Sequence, residues 1–130
     1  MSIRMILVGL VAIAALSVAP ARAELLEFTY VGASDGTYSG VTASWIQSSD
    51  PTPDSWDGIY TNVLVSDGMT SFGSAFNVVS FVADTPPMPD SCCGGLGING
   101  EIGDFGVQIF NGTTAMPTFS VGTFDLLSEP

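Results

Sequence analysis

Beyond Arg22 this chain contains no lysine, arginine or histidine. That absence limits what it can fold into and what chemistry it can support. All 13 carboxylates follow Ala23, so no side-chain salt bridge is available to residues 24–130. Carboxylates crowded together must be relieved by solvent, counter-ions, backbone N–H groups or bound cations. Nucleic acid and anionic membrane are poor partners for this stretch, because gripping phosphate requires Lys or Arg. Ser-His-Asp, Cys-His and lysine-based phosphate sites are excluded within this stretch for want of the residues. Helix formers such as Ala, Leu, Lys and Glu are scarce after residue 24, while Gly, Ser, Thr, Asp and Asn abound. This is the composition of short strands joined by tight turns.

The two arginines, Arg4 and Arg22, both lie in residues 1–23. This segment has the layout of a secretory leader. Arg4 and the amino terminus make a positive start, residues 5–18 (MILVGLVAIAALSV) are apolar, and Ala21-Arg22-Ala23 is a small-x-small cleavage site. The apolar run is shorter than the ~20 residues a membrane span needs. The expectation is a helical signal peptide over residues 1–23, removed on export, and a single domain over 24–130 with no stable membrane span. The product is secreted: periplasmic, on the outer surface or extracellular.

The remaining chain reads as strands of period two. Leu26, Phe28 and Tyr30 alternate with Glu27 and Thr29. After a turn at Asp35-Gly36, Val41, Ala43 and Trp45 share one face of a strand that pairs back as a hairpin. Residues 48–58 (SSDPTPDSWDG) form a loop, since Pro51 and Pro53 cannot donate to a ladder. Ile59, Val63 and Val65 point inward on the next strand, which ends at Asp67-Gly68. Residues 76–83 (FNVVSFVA) are apolar on both faces and belong in mid-sheet. Residues 84–97 are a loop, followed by a short hairpin around Asn99-Gly100. Phe105, Val107 and Ile109 point inward on the next strand, and Asn111-Gly112 is the strongest hairpin-turn signal. Phe119 and Val121 have one parity and Phe124 and Leu126 the other, which calls for a β-bulge at Gly122-Thr123. The sum is an all-β fold, an antiparallel, jelly-roll-like β-sandwich of about seven strands.

Several stretches carry a resemblance. The stretch over residues 28–44 runs from a Phe-Thr-Tyr strand into Tyr-Ser-Gly-Val-Thr-Ala-Ser. Residues 103–127 contain Gly-Asp-Phe-Gly-Val-Gln-Ile-Phe-Asn-Gly and Val-Gly-Thr-Phe-Asp-Leu. Together with the leader, these resemble the secreted β-rich domains of bacterial PEP-CTERM (exosortase-sorted) proteins. Members usually end in Val-Pro-Glu-Pro, an apolar helix and an arginine cluster. Here Glu129-Pro130 matches half of the motif, and the helix and arginines do not follow. The resemblance implies an envelope, extracellular-matrix or exopolysaccharide-associated protein, with no enzymatic activity.

The residues themselves leave three chemistries open. Trp56, in an acidic loop, and Tyr60 beside it offer aromatic faces to a sugar or a protein. Asp50, Asp54 and Asp57 offer hard oxygen ligands for Ca²⁺ within eight residues, or else serve as turn residues around Pro51, Pro53 and Gly58. Asp54 and Asp57 beside Trp56 are also the candidates for a two-carboxylate glycoside hydrolase. The functions to weigh are therefore a non-enzymatic matrix protein, a Ca²⁺-assisted carbohydrate-binding module and a small glycosidase. Cys92 and Cys93 are adjacent in an exported chain: a vicinal or interchain disulfide, two inert thiols, or a metal or redox site. Amino-terminal sequencing of the exported product is expected to begin at Glu24; a product beginning at Met1 rules out cleavage.

Overall fold

In a computed structural model of the protein, residues 2–10, 23–32, 37–84 and 94–127 are described, with backbone alone for residues 2–10, 125 and 127. Every regular element among them is a strand. The main ones are β1 (Ser2–Leu10), β2 (Leu25–Val31), β3 (Thr42–Ser48), β5 (Tyr60–Thr70), β6 (Ala75–Val82), β7 (Gly94–Ile98), β8 (Ile102–Gly106) and β11 (Gly122–Leu127). Three two-residue strands accompany them: β4 (Ser55–Trp56), β9 (Asn111–Gly112) and β10 (Pro117–Thr118). All pairings are antiparallel.

The sheet order is β3-β2-β1-β11-β8-β7-β6-β5-β4, and β3 also pairs with β5. The sheet therefore curls until its ends meet, and eight strands form a ring. The all-β class and antiparallel pairing follow the sequence. The connectivity differs from a jelly roll: each long strand lies beside its neighbour in the chain, an up-and-down meander without Greek-key crossings. Closure satisfies the edges that an open sheet leaves unpaired.

Of the segment expected to be helical, residues 2–10 form a strand. β1 lies between β2 and β11, with seven residue pairs on one side, Arg4↔Val31 to Leu10↔Leu25, and six on the other, Ser2↔Leu127 to Leu7↔Gly122. In the uncut chain two edges compete for these residues. A strand bonded on both sides satisfies more backbone than a short isolated helix, which is marginal on its own.

The interior is apolar because alternate residues of the strands point into it. Leu26, Phe28 and Tyr30 of β2, Ala43 and Trp45 of β3, Val63 of β5 and Phe81 of β6 are all buried. Facing outward from β2 and β3 are Glu27, Thr29, Thr42 and Ser44. No described helix is long and apolar enough to cross a membrane. Phe28 is the hub of the core. Its ring lies 5.1 Å from Trp45 in a stacked arrangement and 5.7 Å from Phe119 edge-on.

Phe119 reaches that position through an excursion between β8 and β11. Its N–H donates to the Ser49 carbonyl at 2.8 Å, and the Asp84 N–H donates to Gln108 Oε1 at 2.9 Å. Ile109, Phe110 and Phe119 are thereby buried over one end of the barrel. Phe119 contacts Phe81 at 4.7 Å and Phe110 at 6.1 Å. The parity switch between Phe119 and Phe124 is thus real, but no bulge produces it. β11 starts at Gly122 in unbroken register with β1, and Phe119 belongs to the plug.

Other local readings change for definable reasons. Asp67-Gly68 does not end a strand: β5 runs through it, with a register shift between Leu64 and Gly68 and Asp67 at φ 54°. Gly68 is needed there because a Cβ would lie 2.3 Å from the Phe76 carbonyl oxygen. Ile59 is exposed rather than inward. Asn111-Gly112 is strand β9, paired with Pro117-Thr118, and the turn is at Thr113–Met116, where the Met116 N–H donates to the Thr113 carbonyl. Asn99 and Gly100, at φ 57° and 71°, do form the expected tight turn between β7 and β8. The Asp35-Gly36 turn falls outside the described residues.

Gly95 marks a close approach between β7 and β8. Its φ is 136°, and a Cβ there would lie 2.1 Å from the Asp104 carbonyl oxygen. Gly95→Ala is expected to cost about 2–4 kcal/mol through overpacking and backbone strain together. Thermal or urea unfolding measures this; a loss below about 0.5 kcal/mol, the range of neutral surface changes, contradicts the close packing.

Candidate functional site

The aromatic residues singled out from sequence lie on the β4–β5 hairpin at the plugged end of the barrel. Ser55↔Asn62 and Trp56↔Thr61 pair, and the Asp57 N–H donates to the Tyr60 carbonyl at 2.9 Å. Gly58 and Ile59 therefore form the tip. Asn62 Nδ2 donates to Ser55 Oγ at 2.8 Å, tying the two arms. Trp56 is 57% exposed, Tyr60 44% and Ile59 44%. Sequence reasoning missed Ile59, because alternation along the strand placed it inside.

The tip is rigid for a local reason. Asp57 Oδ1 accepts from the N–H groups of Ile59 at 2.8 Å and Tyr60 at 2.7 Å. Those bonds, Tyr60 first, hold the Asp57 carboxyl below the usual aspartate range. The tip is also braced from the plug, where Thr114 Oγ1 donates to the Asp57 carbonyl, and from the end of β6, where the Ala83 N–H donates to the Ile59 carbonyl at 2.8 Å.

The three aspartates do not converge. Among the described residues no three of His, Cys, Asp and Glu are close enough together to hold a metal ion. The Asp54 N–H donates to the Asn62 carbonyl at 2.8 Å, which extends the hairpin ladder, and the Asp50 N–H donates to Ser48 Oγ at 3.0 Å. Asp57 acts as a turn residue, the alternative its Asp-Gly context offered. A glycosidase acid needs a raised pKa, and the Asp57 shift runs the other way. Cys92 and Cys93 lie outside the described residues.

A second surface feature has no carboxylate in its lining. An open groove of about 380 Å³ lies against Thr29, Thr42, Ser44, Met69, Thr70 and Ser71. It offers hydroxyls and one thioether, which suits contact rather than acid–base chemistry.

A carboxyl shifted in the opposite direction lies elsewhere. Asp104 is 6% exposed on the inner face of β8, and Tyr30, fully buried on β2, donates its hydroxyl to Asp104 Oδ2. Burial raises the Asp104 pKa, with the Tyr30 bond opposing. Burial, and then Asp104, push the Tyr30 hydroxyl far above its usual value. Sequence reasoning put Phe105, not Asp104, inside. In the structure Phe105 is 48% exposed. No signal of period two distinguishes the parities here, since Phe105 and Val107 make the opposite choice look better.

No protein family, no curated protein and no solved structure matches this chain.

The Tyr30–Asp104 pair has a pH signature. A raised native pKa means the folded state keeps its proton where the unfolded state has lost it. Stability from Asp104 is thus full below about pH 4, the ordinary aspartate range, and falls as pH rises toward the native value. Asp104→Asn is expected to flatten the decline in unfolding free energy that sets in above about pH 4. Parallel wild-type and variant profiles rule Asp104 out as its source. Tyr30→Phe strands the carboxyl and is expected to cost about 1–3 kcal/mol.

Proposed function

We propose that this is an exported, non-enzymatic protein of the bacterial envelope or extracellular matrix that contacts polysaccharide through the β4–β5 hairpin. The observation that carries this reading is the exposure of Trp56, Ile59 and Tyr60 together on a turn locked by Asp57. Aromatic rings held on a rigid turn contact a flat apolar sugar face without losing much side-chain freedom. The leader-like sequence and the resemblance to PEP-CTERM domains support export and an exopolysaccharide setting. A surface with carboxylates and no cations favours a neutral glycan over an anionic one.

A Ca²⁺-assisted carbohydrate module is the weaker reading, because Asp50, Asp54 and Asp57 do not gather. A glycosidase is weaker again, because the Asp57 carboxyl is committed to the turn through the Ile59 and Tyr60 N–H groups.

The test is retention on insoluble or immobilised polysaccharides, followed by fluorescence titration. Trp56→Ala is expected to weaken retention roughly tenfold, the equivalent of about 1.4 kcal/mol for one stacked ring. Phe72→Ala, an exposed aromatic on the turn after β5, serves as the control and is expected to leave it unchanged. Equal retention of the wild type and Trp56→Ala removes the hairpin from the binding surface.

A further inference from the structure

We infer that loss of the leader opens a one-strand slot between β2 and β11, and that this slot receives an extended apolar segment of a partner polypeptide. The inference rests on the reading that the leader is cleaved.

β1 is the only element of the ring that lies within residues 1–23. Its neighbours pair with nothing else on that side: β2 pairs with β1 and β3, and β11 with β1 and β8. Take β1 away, and β2 and β11 each present a row of unpaired backbone N–H and C=O groups. They would face each other across two strand spacings, roughly 9–10 Å. That is about twice the distance a ladder bridges. The two strands are also parallel to each other, since each is antiparallel to β1. Closing directly would require a seven-strand ring, with tilt and stagger reset around the whole barrel. Inserting one strand restores the ring as it stands.

The register states what that strand must be. Ile3, Met5, Leu7 and Gly9 occupy the positions level with Leu126, Tyr30, Phe28 and Leu26. All four of those partners are 0% exposed. The incoming segment must therefore be extended, about seven to nine residues long, and apolar at alternate positions. The intervening position of Arg4 lies level with Asp125 and Val31. A basic residue there meets a chain that has no cation of its own, so charge complementarity favours a partner strand carrying Lys or Arg. Strand addition of this kind takes its affinity from main-chain bonds and its selectivity from the alternate side-chain sites.

The experiment uses the exported protein, its amino terminus first determined. A synthetic peptide of residues 2–10 is titrated into it, with the Ile6→Pro peptide as control. Binding is read by calorimetry and by amide hydrogen exchange. The expected result is saturable binding, new protection over residues 25–31 and 122–127 together, and at least tenfold weaker binding of the proline peptide, which lacks a central donor. A product that begins at Glu24 and gains no protection on either strand overturns the slot and leaves export intact. A product that is already a dimer, protected on these strands and indifferent to the peptide, assigns the edges to a second copy and also overturns it. A product that retains Met1 overturns the slot and the cleavage reading together.

Discussion

The ring contacts of Phe28 hold this structure together. The side chain lies on β2, stacks on Trp45 of β3, and meets Phe81 of β6 and Phe119 of the plug. Three walls and one end of the barrel therefore share a single side chain. The reason is compositional. Residues 24–130 contain no cation, so no side-chain ion pair can join one of their segments to another. Apolar burial, at roughly 25 cal/mol per Å², must do that joining, and aromatic side chains bury the most area per residue. Crowding them at one point lets four separate segments agree on one arrangement.

What the sequence makes legible is whatever depends on period two alone. Leu26, Phe28 and Tyr30 could be placed inside by alternation, and Phe76 to Val82 in mid-sheet by its apolar run. The Asn99-Gly100 turn follows from backbone preference, since both residues take positive φ. What could not be read depends on contacts between distant residues. Asp67-Gly68 has the signature of a turn, yet β3 and β6 on either side carry the strand through it as a bulge. Asn111-Gly112 is a turn signal captured by pairing with Pro117. The candidate site was half legible. Trp56 and Tyr60 could be picked out from composition, but Ile59 and the locking role of Asp57 appear only once the hairpin register is known.

Tyr30 and Asp104 show the cost of a polar group in such an interior. They are 74 residues apart in the chain, so no local pattern links them. One hydroxyl satisfies one carboxyl, and their pairing fixes the inward parity of β8 against the pull of Phe105. Within β3 the Trp45 indole N–H also donates to Gln47 Oε1 at 2.8 Å, but only a pair that spans two strands, such as Tyr30–Asp104, bears on register. Polar pairs of this kind add little net stability, but they penalise a one-residue slip heavily.

Residues Ile109, Phe110 and Phe119 give the barrel a stopper made from its own chain. An up-and-down barrel of this strand number can serve as a cup for a small guest when one mouth stays open and its inside is left unfilled. Here aromatic rings already occupy the hollow, and a backbone bond to Ser49 pins the stopper in place. A descendant carrying a small guest in that hollow would first have to rebuild residues 107–121.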